Sequence, residues 1–252
     1  MNREFVRSGA LRSPHSYPEW AQQLLADCAA ARQRVVRHEF YQRLRDAELG
    51  DDALRLFLIG VWPVVEQFPL YMAQNLLKTR YGRHRGEDMA RRFLVRNIRV
   101  EQNHADYWLA WAAACGIAAT ELQAQRVPEP LQQLGHWCRH NSRHHALLLA
   151  LAATNYAIEG ATGEWTQLVC APGIYEASLP ATQRQSAMRW LKVHARYDDD
   201  HPWEALDIVC TLAGRDADSG TRRALQTAIG NSYHYMQLAL DCCLQLEQAV
   251  PG

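Results

Sequence analysis

Residues 101–116 read EQNHADYWLAWAAACG, and this stretch decides the fold class. Glu101 and His104 stand three apart, and Tyr107, Trp108 and Trp111 follow three, four and seven residues after His104. Side chains at those intervals stack on one face of an α-helix. The apolar members of the row point that face toward a core. Gly116 supplies the stop, so a helix is expected from about Asp88 to Cys115.

The same period dominates outward in both directions, and strand-like alternation is nearly absent. Upstream, helical regions are expected over 18–49, broken near the middle, and over 53–79 after the turn Gly50-Asp51-Asp52. The second contains WPVVEQFPLYM, whose Pro63 and Pro69 should kink it. Downstream, Pro128 and Pro130 bracket the start of another helix. Further helices are expected over 143–159, ending at Gly160, over 181–212 with Pro202 inside, and over 221–247. The expectation is an all-α, single-domain bundle of about seven helices spanning 1–252, with 1–16 as a loosely packed arm.

Composition narrows the function. Lys plus Arg (27) equals Asp plus Glu (27), so there is no net field to draw in nucleic acid or an anionic membrane. The N-terminal sequence lacks the apolar run of a signal peptide. The mostly apolar stretch 146–158 is too short to span a bilayer. A cytoplasmic protein without membrane insertion is expected. Seven cysteines with no CxxC pair do not read as a zinc site or a disulfide framework. They are expected as reduced, buried filler.

Three stretches carry chemistry. The Glu101–His104 spacing lets a carboxylate and an imidazole reach one ion, as in four-helix di-iron proteins. Taken alone it is a weak signal, and a solvated Glu–His pair would explain it. The stretch HARYDDDH places His194, Asp198 and His201 at i, i+4 and i+7, one stripe of ligand types suited to iron, manganese or zinc. Pro202 disturbs that stripe, because it disfavours α geometry at His201. Asp199 and Asp200 fall off it and read as solvated charge. Glu159 ends the most apolar helix of the chain, where a buried carboxylate is costly unless paired or metal-bound. The plain alternative is that Glu159 reaches solvent beside Gly160.

Together these give three carboxylates and three imidazoles. Two divalent ions would keep about one positive charge against three carboxylates, which favours an anionic substrate. One iron with a weaker second site fits as well. His136, His140, His144 and His145 read as surface residues, and His38, His84 and His234 have no partner visible in the sequence.

With EQNHADYW, HARYDDDH, the Glu159 of NYAIEG and WPVVEQFPLYM in place, the chain resembles the haem-oxygenase-like di-iron oxidase superfamily, in particular its alkene-forming, medium-chain fatty acid decarboxylase branch. The resemblance implies a seven-helix bundle without haem. It implies two Fe(II) ions held by Glu101, His104, Glu159, His194, Asp198 and His201. It also implies O₂ as co-substrate, an external electron donor and a medium-chain fatty acid such as dodecanoic acid. Removal of a β hydrogen and loss of CO₂ would give 1-undecene. The alternatives are a relative acting on another small acid or amine, with or without metal, and a metal-free helical binding protein. Haem ligation would need one axial histidine rather than a carboxylate cluster.

Overall fold

The computed structural model describes residues 4–197 and 200–249. The described residues form an all-helical bundle, as the 3.6-residue periodicity predicts. The helices are α1 (Glu19–Val36), α2 (Glu39–Arg45), α3 (Asp51–Leu76), α4 (Arg85–Glu101), α5 (His104–Ala114), α6 (Ala119–Ala124), α7 (Glu129–His144) and α8 (Leu147–Leu151). A π-helical segment (Ala152–Ile158) leads directly into α9 (Glu159–Cys170). Then come α10 (Ile174–Ser178), α11 (Arg184–Ala187), α12 (Arg189–Tyr197), α13 (His201–Ala213) and α14 (Ser219–Ala249). Their buried faces merge into one apolar cluster running from Phe5 to Leu244.

The element count exceeds seven because several expected helices are segmented, each for a local reason. The helix expected over 88–115 is divided at Gln102-Asn103, where Asn103 N–H bonds the Val100 carbonyl in a tighter turn. The helix expected over 181–212 is divided as well. Pro202 lies in the first turn of α13, where its missing N–H costs nothing. Two histidines without visible partners turn out to be caps. His38 Nδ1 accepts from Phe40 N–H at 3.3 Å and starts α2, and His84 Nδ1 accepts from Gly86 N–H at 3.0 Å and starts α4. Pro63 and Pro69 both lie inside α3, which continues through them as one helix.

Two expectations are corrected by packing. The helix approaching Glu159 does not end at Gly160 but runs on to Cys170. Gly160 is required there for space: a Cβ would lie 3.2 Å from Pro202 Cβ and 3.3 Å from an Arg32 guanidinium nitrogen. The described part of the N-terminal arm is not loose either. Phe5 is 3% exposed, and Arg7 pairs with Asp207 at 3.2 Å. Helix α3 is long and apolar enough to cross a membrane, yet 61% of its most apolar window is buried within the bundle, which is the pattern of a core helix.

The site is positioned by five contacts between elements. Helix α12 lies along α9, α13 packs on α4 and on the π segment, and α14 lies against α7 and α3. Helices α4 and α13 close tightly at Gly86, where a Cβ would sit 2.8 Å from the Leu212 side chain and 3.0 Å from its backbone nitrogen.

Candidate metal centre

Glu101, His104, Glu159, His194 and His201 converge in the middle of the bundle, each no more than 7% exposed. Their donor atoms fall into two triads, Glu101 with His104 and His194, and Glu101 with Glu159 and His201. Within each triad the atoms lie within 4.8 Å of one another. Glu101 is common to both. Asp198, the sixth expected ligand, lies outside the described residues.

Each donor is delivered and aimed by its element. Glu101 is the last residue of α4 and His104 the first of α5, so the tight turn between them presents both to one spot. His104 Nδ1–H donates to Glu101 Oε2 at 2.7 Å. The His104 Nε2 lone pair and Glu101 Oε1 are then left buried with no hydrogen-bond partner. Such orphaned acceptors are costly in a protein interior, and a cation between them removes the cost.

His194 Nδ1–H donates to the Trp190 carbonyl at 2.8 Å, which fixes the tautomer and leaves Nε2 as the donor toward an ion. Burial, and then His104 nearby, hold its pKa well below the usual histidine value. Burial also lowers the pKa of His201, although Glu101 opposes the shift. Both shifts favour the neutral imidazole, the form a metal requires.

Glu159 follows the π segment directly. Asn155, one turn earlier, donates Nδ2–H to Glu159 Oε2 at 2.8 Å, and Glu159 Oε1 lies 4.0 Å from His201 Nδ1. A π turn carries one residue more per turn than an α turn and often marks a functional site. Here it directs Asn155 and Glu159 inward together. Sequence reasoning missed both the π segment and Asn155. The only available signal was a buried-type polar pair, Thr154-Asn155, in an otherwise apolar run.

A pocket opens onto Glu101, His104, Glu159 and His194. Its other walls are mostly apolar: Val61, Val64, Val65 and Phe68 of α3, Leu134 of α7, and Met236, Ala239 and Leu240 of α14, with Tyr41, Thr162, Trp165 and Trp190 beside the cluster. Three of these, Val64, Val65 and Phe68, come from WPVVEQFPLYM. The leucines of α8 do not line the pocket. The surface reading of the histidine-rich segment holds for His136, His140 and His144, which are exposed. The seven cysteines are all free, five of them buried, with Cys115 and Cys170 partly exposed.

A helical bundle around two buried carboxylate–imidazole triads that could each hold a metal ion is the arrangement to compare with known proteins. Residues 55–229 match the family model described as iron-containing redox enzyme, and the chain belongs to that family. A crystal structure of a TenA homologue from Pseudomonas syringae pv. tomato is 54% identical, with a TM-score of 0.95, covering 96% of this chain and 99% of that one. A TenA homologue from Pyrococcus furiosus shares the fold at 13% identity and a TM-score of 0.71, covering 89% and 99%. The 4-aminobenzoate synthase of Chlamydia pneumoniae is 22% identical over 210 residues, 81% of this chain and 88% of its own. These comparisons support the haem-oxygenase-like fold and correct the expected activity. The matched relatives carry TenA and 4-aminobenzoate synthase names, not that of a fatty acid decarboxylase.

Proposed function

We propose that this chain is a non-haem iron enzyme that uses O₂ to oxidise a small organic acid or amine with an apolar body. The observation that carries the proposal is the sharing of Glu101 between two buried donor triads. Carboxylate and neutral imidazole donors suit Fe(II), and family membership supports iron and redox chemistry. Iron would be held by Glu101, His104 and His194 on one side and by Glu101, Glu159 and His201 on the other. Bound there, it would supply O₂ activation and electron transfer.

The chain's own residues do the rest. The pocket walls from α3, α7 and α14 hold the apolar part of the ligand and exclude water. A polar head is thereby directed at the cluster floor, where Glu101 and His104 present their unpartnered atoms. Asn155 holds Glu159 in place from behind. The pocket's depth beside the cluster decides which carbon of the ligand lies nearest the reactive position.

A second reading follows from the 54% identical TenA homologue: metal-free chemistry of the kind the TenA-like thiaminase name implies for another relative of this fold. Covalent bond cleavage of that kind calls for an activated nucleophile; the lining of the central pocket has no cysteine or serine, and its candidates are the Thr162 and Tyr41 hydroxyls and the carboxylates of Glu101 and Glu159. Metal analysis after anaerobic Fe(II) loading separates the two readings. Iron near two per chain, with O₂ uptake stimulated by an added amphiphilic acid or amine, is the expected result. A chain that retains no iron and consumes no O₂ would return it to the metal-free group.

A further inference from the structure

Behind His194 runs a chain of redox-active side chains that the proposed reaction does not use. Trp190 packs on the His194 imidazole with ring centroids 3.9 Å apart. Trp111 lies next, 5.9 Å from Trp190 and inclined by 26°. Its Nε1–H donates to the Tyr175 hydroxyl at 2.8 Å. The Cys115 thiol neighbours the Tyr175 hydroxyl. Tyr175 and Cys115 both line a second, more polar pocket on the far side, together with Asp51 and Asp52.

We propose that Trp190, Trp111, Tyr175 and Cys115 form an electron relay between the metal-ligand cluster and this second pocket, through which a small one-electron donor re-reduces the centre. The relay rests on the iron reading for its electron acceptor, but the chain of contacts exists without it. Indole, phenol and thiol are the protein groups that give up an electron most readily, and here they follow one another in contact from ligand to pocket. Trp190 Nε1–H has no hydrogen-bond partner, so an oxidised Trp190 cannot pass its proton to a neighbour and stays a strong oxidant. It therefore refills from Trp111 rather than ending the transfer. A second branch leads from Trp190 through Trp165 to Tyr41, 5.7 Å and then 4.3 Å between rings. It ends at Tyr41, which lines the central pocket beside the cluster rather than the second pocket, so it does not lead a donor in from the far side.

The balance is one electron per event. Trp190, Trp111 and Tyr175 are each oxidised and re-reduced and end unchanged. The S–H bond of Cys115 breaks. Tyr175 gives its phenol proton to pocket water beside Asp51 and Asp52 as it is oxidised, and the hydrogen atom of the Cys115 thiol, electron and proton together, then passes to the phenoxyl oxygen. A donor of the ascorbate class then returns a hydrogen atom to the Cys115 thiyl and leaves as the ascorbyl radical. The net result is one electron delivered to the centre and one proton released at the second pocket.

The test begins with metal-free protein, so that it does not depend on iron. Brief ultraviolet irradiation ejects electrons from the tryptophans in the presence of a nitrone spin trap, and peptide mass spectrometry locates the trapped radicals. Cys170, also partly exposed, is the internal control. The expected result is a Cys115 adduct that falls several-fold in Tyr175→Phe, which keeps the ring and removes only the hydroxyl, with the Cys170 adduct unchanged. Trp111→Phe should give the same loss. A Cys115 adduct of wild-type intensity in Tyr175→Phe overturns the relay. The second arm treats iron-loaded protein with peroxide and ascorbate and measures the rate of ascorbyl radical formation, which should drop several-fold in Tyr175→Phe. If that rate is unchanged while the iron is bound, the relay is wrong. If no iron binds but the first arm succeeds, the iron reading fails and the chain of contacts stands.

Discussion

Glu101 belongs to both donor triads, so its loss should be felt by both ions, whereas His194 serves only one. Glu101→Ala is expected to abolish loading of both irons, and His194→Ala to leave one. Anaerobic Fe(II) titration with metal analysis checks this, and equal loss in the two variants would show that the triads do not act as separate sites. Asn155 touches Glu159 through one hydrogen bond. Partners of this kind are worth about 10–100-fold in metal affinity. Asn155→Ala should weaken iron binding by about that factor, with circular dichroism unchanged. Glu101, His104, His194 and His201 were legible as candidates because of their residue types and close spacing in the sequence, although the helices break between Glu101 and His104 and between His194 and His201, and Asp198 lies outside the described residues. Glu159 was legible only as a costly carboxylate. Asn155 was not legible, because its role depends on the π segment.

Helices α4 and α13 carry Glu101 and His201, and they meet at Gly86 and Leu212 with no room for a methyl group. Overpacking of this kind costs about 1–3 kcal/mol. Gly86→Ala should lower stability by that order in urea titration, with reduced iron affinity as the two helices separate. Helix α5 depends on a different kind of contact. Trp108 is fully buried against Phe57, Trp111 and Trp190, and its Nε1–H donates to the Leu58 carbonyl at 3.0 Å. Truncation of such a side chain costs about 3–5 kcal/mol, so Trp108→Ala is expected to lose that much stability, measured by the same titration. The breaks at Gln102-Asn103 and before His201 matter for function as well as for fold. A continuous helix would hold Glu101 and His104 on fixed rows, whereas the turn lets both reach a single ion.

Across the whole molecule the thiols behave as core atoms. Burial pushes Cys28, Cys115 and Cys170 up to about 11 and Cys138 up to about 12, from an ordinary value of 9.0. The folded chain therefore keeps protons that the unfolded chain releases. The resulting stability is fully present below pH 9 and is lost as pH rises through the folded values. Alkaline unfolding should begin above about pH 9. A thiolate-specific reagent at pH 8 should label the native protein slowly and all seven cysteines rapidly in denaturant. Fast native labelling of the buried cysteines would contradict the packing.

From sequence alone the all-α class, the candidacy of Glu101, His104, Glu159, His194 and His201 and the reading of the cysteines as filler could be drawn, because each rests on the period of the helix or on residue chemistry. The sharing of Glu101 by two triads, the π segment that aims Glu159, the Gly160–Pro202 approach and the pocket walls drawn from α3, α7 and α14 could not. They join residues far apart in the chain, and only the packing of one helix against another sets those distances.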